Sequence, residues 1–174
     1  EGRFDHATSI YEGLRSEGAE VLFAGTYKLM VAATQLESHT PVVMVSCGAE
    51  WFAETPRPRG RYFTGITCLS AELASKQFQL LRELVPNTTR VSVLYNPEYP
   101  SAELELRHLK AAAERLGVTV YGFRARAAQE LEPRIAEIAR SGTKAVLVIS
   151  DGLFYAERQR VAALGIQHGL VIAA

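Results

Sequence analysis

Residues 21–45, VLFAGTYKLMVAATQLESHTPVVMV, decide the fold class. The segment opens with an apolar run at residues 21–24 and closes with a second one at residues 42–45. Residues 28–36 between them have the composition of a helix. Apolar runs without alternation are typical of strands that are covered on both faces. The order strand, helix, strand therefore predicts an α/β protein with a parallel sheet.

The rest of the chain repeats this order. Two further helices are predicted at residues 4–17 and 70–85 from apolar residues at helical spacing. From residue 91 onward the pattern predicts four strands, at residues 91–95, 118–121, 145–149 and 170–173, with three intervening helices, at residues 101–116, before Gly142 and at residues 153–168. Such a series forms an open, doubly wound sheet whose ligand crevice lies beyond the carboxyl ends of the strands.

The division between two lobes is expected near Gly65. Residues 47–61 are rich in Pro, Gly and Arg, which is typical of an exposed loop, and extended chain resumes at residue 62. We predict that residues 1–67 are the remaining part of a first α/β lobe and that residues 68–174 are most of a second. Because the last residues read as a strand with no following helix, the chain is expected to be an internal piece in which both lobes are incomplete.

Composition narrows the possible functions. The 174 residues are 48% hydrophobic, enough for a real core, and carry 19 basic and 19 acidic residues. A formal charge of zero gives no general attraction to nucleic acid, so no nucleic-acid partner is predicted. Cys47 and Cys68 form neither a disulfide framework nor a zinc pattern. No metal and no cofactor are expected.

Polar or small residues follow the strands of the first lobe. Gly25, Thr26 and Tyr27 come directly after the first strand, where free N–H groups at a helix start can receive a carboxylate or a phosphate. Thr26 is equally well explained as the N-cap of that helix. Cys47 and Gly48 follow the second strand. All five are candidate ligand-binding residues.

The second lobe contributes the other candidates. Asn96, Tyr99 and Ser101 follow the strand at residues 91–95, and Asp151 and Phe154 follow the strand at residues 145–149. The carboxylate of Asp151 is suited to a ligand ammonium group, although it also suits the N-cap of the next helix. Tyr99 and Phe154 would cover an apolar or aromatic ligand, or would simply pack in the core.

No common catalytic motif is present. The chain lacks a G-x-S-x-G elbow, a Walker loop, a G-x-G-x-x-G turn and an H-E-x-x-H pair, so no enzyme and no catalytic residue are predicted. One enzymatic alternative is a cofactor-independent amino-acid racemase, in which two thiols act as acid and base. Cys47 follows a strand, as that mechanism needs, but Cys68 lies near the crossover between the lobes.

Several segments taken in order resemble a known family. They are Gly25-Thr26, Thr40-Pro41-Val42-Val43, Phe63-Thr64-Gly65-Ile66, residues 69–76 (LSAELASK), residues 80–86 (LLRELVP), residues 93–97 (VLYNP) and residues 150–154 (SDGLF). The set resembles the substrate-binding proteins of ABC transporters, of the group with tryptophan- and tyrosine-type receptors.

The resemblance implies a type I periplasmic-binding-protein fold, with two lobes that close on a ligand about a hinge. Cleft residues carried over by position are Thr26, Asn96, Ser101 and Asp151. By this analogy the N–H groups around Thr26 and Tyr27 meet a ligand carboxylate, and Asp151 meets the ligand's amino group. Two departures leave the ligand open: Cys47-Gly48 replaces an Asp-Pro-like pair, and Tyr27 stands where Pro is usual.

The function implied is that of a receptor for an ABC importer. It would capture an amino acid or related small zwitterion, aromatic if Tyr99 and Phe154 face the cleft, and deliver it to an ABC permease. A periplasmic or other extracytoplasmic location is expected, with the signal segment absent from this chain. The alternative from another class is a cytoplasmic ligand-sensing regulator of the same fold.

Overall fold

The computed structural model describes residues 6–36, 39–46, 63–67, 70–99 and 101–174. The chain divides into two compact units, Glu1–Leu69 and Ser70–Ala174, each with its own sheet. None of the described helices is both long enough and apolar enough to cross a lipid bilayer.

The described residues of the first unit form a parallel sheet of three strands in the order β1-β2-β3. The described elements of this unit are helix α1 (Ala7–Ser16), strand β1 (Leu22–Ala24), helix α2 (Tyr27–Gln35), strand β2 (Val42–Val45) and strand β3 (Phe63–Ile66). Helix α1 packs against α2, and α2 contacts β1. Ala7 and Tyr11 are the buried residues of α1, one helical turn apart, and the Tyr11 hydroxyl donates to the Phe23 carbonyl oxygen at 3.0 Å.

One face of this sheet is exposed. Leu22 and Ala24 are buried, but Phe23 between them is 61% exposed, and Ile66 is 70% exposed. Parallel pairing places Phe23 beside Val43, on the face opposite Leu22 and Ala24. The expectation that the first strand is covered on both faces is therefore wrong at Phe23, since Leu22 and Ala24 occupy the covered side.

Strand β3 approaches β2 closely at Gly65. A Cβ atom added to Gly65 would lie 1.9 Å from the carbonyl oxygen of Met44. No side chain fits at that distance, so the pairing of β3 with β2 depends on glycine at this position.

The second unit contains a four-stranded parallel sheet in the order β5-β4-β6-β7. Its strands are β4 (Arg90–Tyr95), β5 (Thr119–Arg124), β6 (Ala145–Val148) and β7 (Val171–Ala173). Its helices are α3 (Ser70–Leu84), α4 (Ala102–Arg115), α5 (Leu131–Arg140), α6 (Gly152–Ala156) and α7 (Arg158–Gln167), with a 3-10 turn at Ala128–Glu130.

The strand order makes this sheet doubly wound. The chain runs from β4 outward to β5, then returns past β4 to β6 and continues to β7. The direction of winding therefore reverses between β4 and β6, which are paired neighbours. The predicted α/β class with parallel sheets is confirmed.

Helices lie on both faces of the second sheet. Leu94 and Val146 belong to a core cluster that includes Leu131 and Ile135 of α5 and Val161 of α7. Since side chains alternate along a strand, neighbours of Leu94 in β4 point to the opposite face. Helices α3 and α4 contact each other, and their buried residues include Phe78, Leu81, Leu106 and Leu109.

Two of the larger differences from the predicted boundaries lie in the second unit. The single helix predicted at residues 153–168 is wrong, because α6 ends at Ala156 and α7 begins at Arg158. Glu157 between them has φ −94° and ψ 12°, outside helical geometry. Strand β5 extends to Arg124, beyond the predicted residue 121. Gly122 lies within this extension, where an added Cβ would make a tight contact, 3.1 Å, with the Tyr95 ring.

Candidate ligand-binding site

The strand ends at the winding reversal of the second unit form the best-defined polar site. Leu94 of β4 pairs with Val148 of β6, and the Ile149 N–H donates to the Leu94 carbonyl oxygen at 3.0 Å. The segments that follow β4 and β6 therefore leave the sheet side by side. Ligands of doubly wound sheets bind at such a reversal, beyond the carboxyl ends of the strands.

Asn96 and Asp151 are joined directly at this edge. The Asn96 Nδ2 donates to Asp151 Oδ2 at 2.7 Å, although the residues are 55 positions apart. The Asn96 Oδ1 accepts from the Glu98 N–H at 2.9 Å, which fixes the orientation of the amide. Asn96 is only 5% exposed. The sequence placed these residues at comparable strand ends, and the structure brings them into contact.

Asp151 has a second hydrogen bond, to the first turn of the helix that follows it. Its Oδ1 accepts from the Phe154 N–H at 2.9 Å, so it is the N-cap of α6. A carboxylate offers about four acceptor positions, of which these bonds use two. Among the described residues, no arginine or lysine forms an ion pair with Asp151. Its half-buried negative charge is therefore suited to a cationic group.

Thr26 in the first unit is also an N-cap. Its Oγ1 accepts from the Leu29 N–H at 3.3 Å at the start of α2. The N-cap explanation of Thr26 is thus confirmed. Gly25 precedes it, with the Phe23 ring 3.1 Å from the place of a Cβ, and Tyr27 is the first residue of α2. The helix start that was predicted to receive a carboxylate is present.

Three predicted residues lie outside the described part of the chain. They are Cys47, Gly48 and Cys68. The thiol arrangement of the racemase hypothesis rests on two of them.

Ser101, Tyr99 and Phe154 are buried side chains near the same edge of the second unit. The Ser101 hydroxyl donates to Glu105 Oε1 at 3.0 Å. The Tyr99 N–H donates to the Asn96 carbonyl oxygen at 3.1 Å, so Tyr99 forms part of the turn after β4. Phe154 belongs to the hydrophobic core. Their contact with a ligand remains a prediction.

Sequence reasoning missed a polar group centred on Tyr95. Its hydroxyl donates to Glu103 Oε1 at 3.2 Å and accepts from Arg124 Nε at 2.8 Å. The hydrogen bond to Tyr95, with the electrostatic influence of Tyr95 and Glu103, raises the pKa of Arg124. This group was missed because Arg124 lies beyond the predicted end of β5. Tyr95 at the end of β4 and Glu103 in the first turn of α4 could have indicated this polar group from the sequence.

A cavity of about 450 Å³ lies beside α7 in the second unit. Its lining is largely apolar and includes Phe154, Ile166 and Ile172, with Arg158 as a charged member. Neither Asn96 nor Asp151 lines it, but Ser150 and Phe154 do, so the cavity borders the polar edge without including its two bonded side chains. Within the described ranges, no cluster of three or more His, Cys, Asp or Glu residues suited to a metal ion is found.

Known sequences place the chain in a family. The profile of the family described as ABC transporter substrate binding protein matches residues 2–161, which is most of the chain. No curated protein matches it.

Solved structures share the fold. An ABC domain from Streptococcus pneumoniae in complex with L-Trp is 20% identical, with a TM-score of 0.84 over 99% of this chain and 58% of that chain. A conserved domain protein from Vibrio cholerae is 19% identical, with a TM-score of 0.85 over 98% and 58% of the two chains. A periplasmic binding protein from Burkholderia mallei is 15% identical, with a TM-score of 0.71 over 99% and 46%.

These likenesses confirm the predicted periplasmic-binding-protein fold. The chain spans 58% of the length of the first two structures.

Proposed function

Since the chain belongs to the family of ABC transporter substrate-binding proteins, we propose that the complete protein captures an amino acid or a related small zwitterion. It holds this ligand between two α/β lobes, represented here by residues 1–67 and 68–174, and releases it unchanged to an ABC permease. The site of capture is periplasmic or otherwise extracytoplasmic. No bond of the ligand is made or broken.

The observation that carries this proposal is the carboxylate of Asp151. It lies at the winding reversal of a doubly wound sheet, it is held by two hydrogen bonds, and none of the described basic side chains forms an ion pair with it. A ligand ammonium group placed there gains a charge-assisted hydrogen bond. Such a bond favours a ligand that carries an amino group.

The start of helix α2 supplies the complementary group. The N–H groups around Thr26 and Tyr27 lie at the positive end of the helix dipole and suit the carboxylate of the same ligand. A ligand that joins both lobes stabilises the closed form, so closure follows as a shift of population. The L-Trp bound by the Streptococcus pneumoniae structure supports an aromatic amino acid as the first candidate.

The test is a ligand screen of the complete protein. A ligand that binds only the folded state raises the melting temperature, so free amino acids and simple carboxylates are compared by thermal shift. Stabilisation by amino acids is expected. The absence of stabilisation by any amino acid, together with stabilisation by another ligand class, would overturn the ligand assignment.

The contribution of Asp151 is then measured by calorimetry on purified variants. We expect Asp151→Ala to weaken binding of an amine-bearing ligand by about 2–4 kcal/mol, because the ammonium group loses its charged partner. Asp151→Asn keeps an acceptor for the Phe154 N–H and should weaken binding while preserving the helix cap. Glu132→Gln, on the exposed face of α5, is the control and should leave the affinity unchanged. An unchanged affinity in both Asp151 variants removes Asp151 from the site.

A further inference from the structure

We propose that Asn96 is a positioning residue that acts through Asp151, and that the oriented carboxylate selects a ligand whose ammonium group carries N–H donors. This inference rests on the proposed function. Its basis is the direct contact of the Asn96 amide with Asp151 at the junction of β4 and β6.

Burial closes Asn96 to a ligand, although its two hydrogen bonds use only one of its two donors and one of its two acceptor positions. Its Nδ2 is bonded to Asp151 at 2.7 Å, and its Oδ1 is bonded to the Glu98 N–H at 2.9 Å. The residue is 5% exposed, so a ligand has almost no surface of Asn96 to contact. The amide therefore influences a ligand through the group that it holds.

The two oxygens of Asp151 are held from different strands. Oδ1 is bonded to the Phe154 N–H in α6, which follows β6, and Oδ2 is bonded to Asn96, which follows β4. Two donors at separate oxygens fix the plane of the carboxylate, and its other acceptor positions then have fixed directions. A ligand must direct N–H groups along those directions to gain a hydrogen bond. A primary ammonium group can do so, whereas a quaternary ammonium group has no N–H.

Three probes separate these effects. L-Tryptophan carries an indole, a carboxylate and an ammonium group. Indole-3-propionate lacks the ammonium group, and N,N,N-trimethyl-L-tryptophan keeps the positive charge without N–H donors. The measured quantity is the ratio of Kd values for each probe relative to indole-3-propionate, determined by calorimetry on the complete protein.

The variants form a double-mutant cycle of Asn96→Ala, Asp151→Ala and their combination. We expect Asn96→Ala to reduce the preference for L-tryptophan over indole-3-propionate about tenfold. In the Asp151→Ala background, Asn96→Ala should have no further effect on the preference, because Asn96 acts only through Asp151. Trimethyl-tryptophan should bind no better than indole-3-propionate.

Ser92→Ala is the matched control. Ser92 is a buried residue of the same strand, and its hydroxyl lies 2.5 Å from the Thr143 hydroxyl. Its replacement removes a buried hydrogen bond without touching the strand end, so it should lower stability and leave the preference unchanged. If Asn96→Ala does not fold, Asn96→Ser serves instead, because its hydroxyl can accept from the Glu98 N–H but is too short to replace the bond to Asp151.

The outcomes are distinguishable. If Asp151→Ala leaves the preference for L-tryptophan unchanged, the proposed ammonium contact fails. If Asp151→Ala reduces it while Asn96→Ala does not, or if the two effects add, the positioning role of Asn96 is wrong and the ammonium contact stands. Tight binding of trimethyl-tryptophan overturns selection for N–H donors on the ammonium group.

Discussion

Thr26 in the first unit and Asp151 in the second occupy the same local position, between the end of a parallel strand and the start of a helix. Each accepts a hydrogen bond from the N–H group three residues ahead, Leu29 for Thr26 and Phe154 for Asp151. Only Asp151 is charged, and only Asp151 is also held by a buried amide, that of Asn96. One local pattern therefore yields a helix cap in one unit and a cap with an oriented charge in the other.

The two sheets also differ in how fully their faces are covered. The second sheet has buried side chains and helices on both faces, whereas the first sheet exposes Phe23 and Ile66 on one face. Burial of apolar side chains therefore stabilises the second unit more than the first. Mutations that test this difference are expected to have the largest effects.

The largest difference in stability loss between the two units is expected when a buried side chain of the second unit and an exposed side chain of the first are each truncated. Ile135 of α5 is fully buried in the core cluster that includes Leu94 and Val146 of the second sheet, and its replacement by alanine leaves a cavity. We expect Ile135→Ala to lower the free energy of unfolding of the second unit by about 2–5 kcal/mol. Phe23→Ala should change that of the first unit by less than about 1 kcal/mol, since the ring is mostly exposed. Urea unfolding followed by amide hydrogen exchange assigns each loss to its unit.

Equal losses for the two variants would contradict this difference. They would mean that Phe23 is covered in the complete protein. Tyr155→Ala, at an exposed side chain of the second unit, is the control for truncation of a large ring and should cost little.

The two caps should differ by a smaller amount. Thr26→Ala removes one hydrogen bond and is expected to cost about 1 kcal/mol or less of unfolding free energy. Asp151→Ala removes a cap and also leaves the buried Asn96 amide without its acceptor, so about 2 kcal/mol is expected. Asp151→Asn should recover most of the cap. Guanidinium denaturation of the three variants measures the order, and an equal cost for both alanine variants would show that the Asn96 bond adds no stability.

The smallest expected effect is a pH dependence of stability that comes from Tyr11 in the first unit. Burial raises the pKa of Tyr11 above its ordinary value of 10.0. A raised pKa means that the folded first unit holds this proton more tightly, so the stability is fully present below about pH 10 and is lost as the pH rises through the folded-state pKa.

The measurement compares urea midpoints at pH 9 and 11. Tyr11→Phe should lose less stability over this interval than the unmodified protein, although it lacks the hydrogen bond to Phe23 at either pH. Tyr155→Phe, at an exposed ring, should keep the full alkaline loss. Identical pH profiles for Tyr11→Phe and the unmodified protein would show that Tyr11 makes no contribution.

Much of the fold was readable from local patterns. The apolar runs at residues 42–45 and 145–149 predicted two strands, and β2 (Val42–Val45) and β6 (Ala145–Val148) lie there. The break at Glu157 was not readable, because neither Pro nor Gly interrupts the helical pattern there and the cap at Asp151 serves only a short helix. The extension of β5 to Arg124 was not readable either, because it follows from pairing with β4, which lies far away in the sequence.

The site was predictable only in part. The positions of Asn96 and Asp151 after two strands could be read, but their hydrogen bond required the pairing of β4 with β6, which are not consecutive along the chain. The alternative roles of Thr26 and Asp151 as caps were also visible, because both precede helices. What a strand end contributes to binding depends on its neighbour in the sheet.

Gly65 brings a separate consequence for variation in this chain. At this position even a methyl group collides with the Met44 carbonyl oxygen, whereas the space around Gly13 on α1 is open. Libraries that diversify the chain should accept many residues at position 13 and glycine alone at position 65. Strand β3 thus restricts position 65 to glycine for a reason of backbone packing, and this restriction does not depend on the ligand.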